Sequence, residues 1–228
     1  MTRGLALLAG VLGLAMTAGC TSNSLGPSGR CADGTKASLF GDPALPIQLQ
    51  LGQLKYVKQE VPSQQGLESD VTVSASFQPL ADGDTLDLRL PPEGGMVAWV
   101  GAQATNLDGC ITIRGSLIDD SGTVVATEQR ETTLIPVPGR PGWGEPDPFH
   151  FDQWANVPVC PVFSGPDRIG RAYTLSVTII DDAGRQATAS AVVTPTCADE
   201  DPGRNAECQC ECLAGYMLGK CVARDGGP

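Results

Sequence analysis

The chain has 228 residues, of which 18% are charged and 41% hydrophobic. This length and composition are typical of one globular domain with appendages, and exclude a disordered chain or a coiled coil. The net charge of −11 argues against a nucleic-acid partner, because no basic surface is available to displace the counterions of phosphates.

The N-terminal segment predicts export. Arg3 precedes an uninterrupted apolar run from Gly4 to Met16. As a helix this run would be about 20 Å long, which is shorter than the roughly 30 Å hydrocarbon core of a bilayer. We therefore expect residues 1–19 to be a cleaved signal peptide and not a membrane-spanning helix.

The apolar run ends in Met16-Thr17-Ala18-Gly19-Cys20, which resembles the lipobox of bacterial lipoproteins, although Thr17 stands where leucine is commonest. In that family the peptidase cuts before the cysteine, which then carries diacylglycerol on its sulfur and usually an acyl chain on its amine. The resemblance implies that Cys20 is the lipidation site and that the membrane is a partner through this anchor. Thr21 at the next position implies outer-membrane retention. The alternative is ordinary secretion, with cleavage near Gly19.

The number of cysteines supports lipidation. Nine is an odd number, and an odd cysteine in an exported protein needs an explanation. Lipidation of Cys20 leaves eight, which an oxidising compartment would pair. The disulfide candidates are Cys31, Cys110, Cys160, Cys197, Cys208, Cys210, Cys212 and Cys221.

Residues 20–44 read as a lipidated cysteine followed by a Ser/Gly/Pro-rich tether. From 45 to 196 the dominant pattern is alternation of apolar and polar residues with period two, which predicts strands. In one such run Leu86, Leu88 and Leu90 are expected to face inward, with Asp87 and Arg89 outward. Apolar residues show no convincing helical spacing after the signal peptide, so the fold is predicted to be all-β. The other alternating runs are Val71–Phe77, Met96–Leu107 (the most apolar, expected to be central), Ile111–Leu117 and Tyr173–Ile179.

Two near-identical turns, at residues 118–122 and 180–184, each join two of these runs. An Asp followed by Gly two or three positions later is typical of a hairpin turn. With seven to nine strands, these hairpins suggest a two-sheet sandwich. The stretch from Gly170 to Gly184, with Tyr173 opening its strand, resembles the last hairpin of PKD-like and other Ig-like domains. The resemblance implies an Ig-like β-sandwich, an architecture that hosts many unrelated functions.

Residues 197–228 form a cysteine-rich tail. Within it, Cys210-Glu-Cys212-Leu-Ala-Gly-Tyr followed by Cys221 resembles the C-terminal half of an EGF-like module, and the resemblance implies a Cys212–Cys221 bridge. Five cysteines lie in the tail and three of the remaining candidates precede it. Complete pairing therefore requires at least one bridge between tail and body, and Cys197 is a candidate for it. Inside the body we expect Cys110–Cys160.

Catalytic chemistry is not indicated. The one histidine, His150, lies among aromatic residues and no Gly-x-Ser-x-Gly element is present, so a structural role is favoured over a catalytic triad. The acidic turns at Asp119 and Asp181 could bind calcium only if they converged at one end of the sandwich. Local hydrogen bonding in the turns is the favoured explanation. We expect no catalytic residue, no metal and no cofactor.

Residues 136–170 are interpreted as a long loop that holds eight of the 18 prolines. Long loops in compact domains are usually functional or disordered. The aromatic side chains in it could stack on sugars or anchor a protein. The alternative, which we favour, is that they cover a sheet face or edge. The candidate binding residues are Trp143, Phe149, Phe151 and Trp154.

Taken together, these patterns predict a lipid-anchored, non-catalytic protein of the bacterial cell envelope with a structural, adhesion or assembly role. Its partners would be the membrane and a protein or glycan of the envelope, with no nucleic acid. The alternative function is a carbohydrate- or peptidoglycan-binding module that uses the aromatic residues of 136–170.

Overall fold

The structure is a computed structural model that describes residues 38–62, 69–91, 93–199 and 201–220; side chains of 58–62 and 69–73 are not described. The signal peptide, Cys20, Cys31, most of the tether and Cys221 therefore lie outside the described residues. Among the helices within the described ranges, none is sufficiently long and apolar to cross a membrane.

The described residues form twelve strands and one α-helix. The helix, α1, spans Pro202–Glu211. The strands are β1 (Leu39–Phe40), β2 (Gln48–Pro62), β3 (Ser69–Pro79), β4 (Thr85–Leu88), β5 (Met96–Thr105), β6 (Leu107–Asp108), β7 (Cys110–Ile118), β8 (Val124–Pro136), β9 (Gly144–Pro146), β10 (Ala155–Cys160), β11 (Tyr173–Asp181) and β12 (Gln186–Cys197).

The fold is an all-β sandwich, as predicted. One ladder runs in the order β3-β2-β5-β9-β8-β7-β11-β12-β4, with β10 paired to β5, and β1 and β6 form a small separate sheet. The short strand β9 pairs with both β5 and β8, so it connects the β3-β2-β5-β10 layer (the first layer) to the β8-β7-β11-β12-β4 layer (the second layer). A Cβ on Gly115 of β7 would lie 2.6 Å from side-chain carbons of Val100 and Val157 in the first layer. The two layers therefore pack closely at this point.

The predicted alternation is confirmed in the central strands. On β11 the residues Tyr173, Leu175, Val177 and Ile179 are all buried, while the residues between them are only partly buried. Both predicted hairpins are also present, since β7 pairs with β8 and β11 with β12. Their glycines take the left-handed conformation that the turns require, with φ of 82° at Gly122 and 75° at Gly184.

The prediction that Asp87 faces solvent is wrong. Asp87 is only 7% exposed, and its carboxylate accepts a hydrogen bond from Lys55 at 2.9 Å. Its backbone N–H donates to the Gln53 side chain at 2.8 Å, and Arg89 lies 3.8 Å from the carboxylate. The reason is tertiary: polar side chains of β2 extend over β4 and cover the face that the alternation assigned to solvent.

The interpretation of residues 136–170 as one long loop is also wrong. The segment contains β9, a 3-10 turn at Phe151–Gln153 and β10. Pro158 lies within β10, where its side chain is exposed. β9 and β10 are three and six residues long, too short for their alternation to stand out among eight prolines.

The tail contains the helix α1, which the sequence pattern does not predict. Asp201 caps its N-terminus, with its carboxylate accepting from the backbone N–H of Gly203 at 2.8 Å, and Pro202 occupies the first turn. The helix lacks an apolar stripe because its contact with the body is made by buried cysteines instead. Cys208, inside the helix, and Cys212, at its C-cap, are buried on the side facing the sandwich.

All six cysteines among the described residues are disulfide-bonded. Cys160 at the end of β10 bonds to Cys212, and Cys197 at the end of β12 bonds to Cys208. The expected Cys110–Cys160 and Cys212–Cys221 bridges are therefore wrong, whereas the expected bridge between tail and body is present. Residues four apart on a helix lie on one face, so Cys208 and Cys212 meet two strand ends of the sandwich together.

Candidate functional site

The outer face of the first layer is covered by the segment from Arg140 to Trp154. At the centre of this face two glycines oppose each other, Gly52 on β2 and Gly101 on β5. A Cβ on Gly101 would lie 3.0 Å from the Trp154 ring, and one on Gly52 would collide with the Phe77 ring. Because neither glycine has a side chain, the sheet surface is flat at this point, and we call the surface of Gly52 and Gly101 the glycine floor. Trp154 and Phe77 pack on it, with ring centroids 6.0 Å apart.

Trp154 is completely buried. The 3-10 turn at Phe151–Gln153 directs the chain back to the sheet, and the indole Nε1 donates to the backbone oxygen of Asp147 at 3.0 Å. Its apolar ring and its polar nitrogen are therefore both satisfied within the protein. Trp154 covers the sheet and offers no surface to a ligand.

Trp143 is engaged with a neighbouring cation. The guanidinium carbon of Arg140 lies 3.4 Å from the centre of its ring, a cation–π contact. The same guanidinium donates to Gln103 Oε1 at 2.7 Å and to the side chain of Gln50. Trp143 is thus part of a polar network that fixes the segment to β2 and β5.

Glu145 completes this network from β9. Its Oε2 accepts a hydrogen bond from Gln103 Nε2 at 2.7 Å. Burial disfavours its charged form and raises the pKa of Glu145 above its ordinary value, and repulsion from Asp147 adds to this, while the bond from Gln103 acts in the opposite direction. The carboxyl is held in place and takes up a proton more readily than an exposed glutamate.

The exposed aromatic side chains lie next to this cover. Phe149 is 70% exposed and Phe151 38%, and the Phe151 ring lies 5.7 Å from that of Trp99 on β5. We call Trp99, Phe149 and Phe151 the aromatic surface. Trp99 was not among the predicted site residues, although its position between the inward-facing Ala98 and Val100 marks it as outward-facing.

The aromatic surface also contains unpaired polar atoms. Asn156 on β10 stands directly opposite Trp99 in the ladder. Among the described residues, neither Trp99 Nε1 nor Asn156 Oδ1 has a hydrogen-bond partner, although both atoms are buried. Because both atoms are buried, the part of this surface that a ligand can reach is formed by the exposed rings of Phe149 and Phe151.

His150 borders the aromatic surface and is half exposed. Its ring nitrogens lie 3.8 Å from an Asp147 oxygen and 3.9 Å from an Asp152 oxygen. Both distances exceed those of a hydrogen bond. In the described part of the chain the ring has no hydrogen bond to a serine, threonine or cysteine, so no catalytic triad is assembled around it.

The two acidic turns lie at opposite ends of the second layer. In the β7–β11 register Ile118, next to Asp119, pairs with Thr174, whereas Asp181 pairs with Ile111. Seven residues of strand separate these ends by roughly 24 Å, so the condition for a shared calcium site is not met. Each carboxylate is satisfied in its own turn: Asp119 accepts from Ser121 and Thr123, and Asp181 accepts from Arg185.

In the tail, the sulfur atoms of Cys197, Cys208 and Cys212 lie within 4.8 Å of one another. Metal ions bind cysteine as the thiolate. Because each of these sulfurs is already in a disulfide, the cluster is two adjacent covalent bridges and not a set of metal ligands.

Replacing Trp154 by alanine should destabilise the protein by about 3–5 kcal/mol, because it removes a fully buried ring from the glycine floor. Replacing the exposed Phe149 by alanine should change the free energy of unfolding by less than about 0.5 kcal/mol. Urea denaturation of both variants measures the difference. Equal effects would show that Trp154 does not cover the sheet.

Replacing Glu145 by glutamine should stabilise the protein at pH 7 and above. The native carboxyl has a raised pKa, so in the parent protein stability increases as the pH falls through that value toward the ordinary value of 4.5. The variant should lose this increase, because glutamine does not titrate and can still accept the bond from Gln103. Thermal denaturation between pH 4.5 and 8 tests this, with the exposed Glu131→Gln as the control.

Comparison with known proteins adds no relative: the chain matches no protein-family model and no curated protein. The contacts and surfaces of the protein therefore carry the functional evidence. These separate the predicted aromatic residues into two that are engaged within the protein, Trp143 and Trp154, and two that face solvent, Phe149 and Phe151.

Proposed function

We propose that this protein is an exported, lipid-anchored and non-catalytic component of the bacterial cell envelope, with a structural, adhesion or assembly role. The observation that carries the proposal is the oxidation of all six cysteines among the described residues. Disulfides persist in oxidising compartments outside the cytosol. They support export, which the apolar run at Gly4–Met16 predicts independently.

Anchoring through Cys20 follows from the lipobox-like sequence and from the odd number of cysteines. Cleavage before Cys20 removes Arg3, so the mature chain is one unit more negative than the −11 of the whole sequence. Such a body is repelled by anionic lipid headgroups, and attachment depends on the acyl chains. More than one chain on the same residue provides the retention that a single chain does not.

The described body suits a role in binding or assembly. The tail is joined to the sandwich by Cys160–Cys212, and backbone bonds such as Val162 N–H to Glu211 O, at 2.9 Å, fix it further. A body of this kind presents its surfaces in a fixed arrangement at the end of the Ser/Gly/Pro-rich segment that follows Cys20.

Replacing Cys20 by serine should release the protein from the membrane. After expression in a bacterial host, the parent protein should sediment with membranes, dissolve only in detergent and yield an N-terminal peptide with the mass of lipidated cysteine. The Cys20→Ser variant should be soluble, and the matched variant Ser22→Ala should behave like the parent. An unmodified Cys20 would indicate ordinary secretion, and reduced thiols in the cytosol would contradict export as well.

A second candidate function is glycan binding, in which the ligand would be a carbohydrate or peptidoglycan. The exposed rings of Phe149 and Phe151, the second of which lies against Trp99, favour it. Aromatic rings bind the apolar faces of sugars. The site would include Phe149 and Phe151 from the predicted set, but neither Trp143 nor Trp154.

Replacing Phe151 by alanine should reduce binding to insoluble peptidoglycan or to an arrayed glycan at least tenfold, because it removes one ring of the aromatic surface. The control is Phe163→Ala, since Phe163 is 63% exposed and lies at the tail. Co-sedimentation measures binding, and an unchanged melting temperature shows that the fold is intact. Equal binding by parent and both variants would exclude this function for the aromatic surface.

A further inference from the structure

Strand β3 forms one end of the main ladder. It pairs with β2 along all eleven of its residues without a register shift, whereas shifts interrupt β10–β5 and β7–β8. Within the described ranges, no strand pairs with its other edge. A regular row of backbone donors and acceptors is therefore available along this edge.

The edge also lacks the features that normally prevent strand addition. Exposed edge strands usually carry lysines, prolines or bulges, or are very short. The eleven residues of β3 contain no lysine or arginine, one acidic residue, Asp70, and a proline only at the last position, Pro79. With alternating Val and Thr from 71 to 73, the strand favours extended pairing.

The β2–β3 pairing continues past the part of β2 that pairs with β5. β2 pairs with β5 only from Gln48 to Gln53. Further along β2, Lys55 forms an ion pair with Asp87 of β4, and Arg89, just after β4, donates to the Tyr56 oxygen. The remaining six residues of β2 extend roughly 20 Å further. Two-stranded ribbons are marginally stable in water, so a third strand would stabilise this one.

The backbone groups on the free edge can be assigned. Leu80 N–H donates to Leu51 O at 3.0 Å, next to the Gly52–Pro79 pair. Because bonded and non-bonded pairs alternate in an antiparallel ladder, the N–H groups of residues 71, 73, 75 and 77 point away from β2. Pro79 also has its backbone nitrogen on the side away from β2, so its missing N–H costs no hydrogen bond to β2.

We propose that a second copy of this chain pairs with this edge, β3 against β3, antiparallel about a twofold axis. An antiparallel pair of identical strands is self-complementary, because each edge offers the same spacing of donors and acceptors. Charge favours this location. The net charge of the whole chain is −11, but β3 contains only one charged residue. Two acidic molecules that pair through β3 therefore meet where their electrostatic repulsion is small. The proposal does not depend on the lipid anchor, since the backbone edge alone carries it.

The test uses the full chain with Cys20→Ser, exported so that its disulfides form and unable to associate through acyl chains. Sedimentation velocity from 1 to about 300 µM should show a monomer–dimer equilibrium. Hydrogen exchange should show protection of the amides of residues 71, 73 and 75 that increases with protein concentration. Both readouts are independent of where the protein is anchored.

Replacing Ala75 by proline should raise the dimer dissociation constant at least tenfold, because it removes an outward N–H without removing a bond to β2. Ala75→Lys is the second variant, which keeps the backbone N–H and places a charge on the edge. Ser74→Ala is the matched control and should dimerise like the parent. A monomer at all concentrations, or a dimer insensitive to both Ala75 variants, would overturn the proposal. Edge amides protected in the monomer would also overturn it, by assigning the edge to another segment of the same chain.

Discussion

The central constraint on this structure is that β5 is buried on both faces. Ala98, Val100 and Ala102 face the second layer and are completely buried, while Gly101 on the opposite face lies under Trp154. A sheet in a two-layer sandwich normally exposes one face to water. Here a third covering is needed, and the segment between β8 and β10 provides it.

This covering explains much of the unusual composition of residues 136–170. The prolines keep the segment irregular while it crosses the sheet, and Arg140 and Glu145 attach it through the Gln103 side chain. Because Trp154 occupies the glycine floor, Phe149 and Phe151 are left at the margin of the cover, where they face solvent. The same segment thus completes the hydrophobic packing of β5 and forms the exposed aromatic surface.

The tail is held in a different way. α1 has few apolar residues, and covalent bonds replace the packing that a longer amphipathic helix would provide. Its last residue, Glu211, has a buried carboxyl whose pKa is raised chiefly by burial, with repulsion from Glu207 adding to the effect. The disulfides thus join to the sandwich a helix that has few apolar side chains of its own.

Local sequence patterns are sufficient to predict the all-β class, the two hairpins and the inward faces of β7 and β11, because period-two alternation and Asp-Gly turns are local properties of the chain. Tertiary packing was needed to establish the burial of Asp87, the different environments of Trp154 and Phe151, the partners of Cys160 and Cys212, and the pairing of Trp99 with Asn156. These features depend on which elements, distant in sequence, pack against each other. Alternation distinguishes the two faces of a strand but does not indicate which element covers each face. The helix α1 is predictable only in part. Its start at Asp201-Pro202 is a local signal in the sequence. Its buried face is made by cysteines, so no apolar periodicity in the sequence indicates which face is buried.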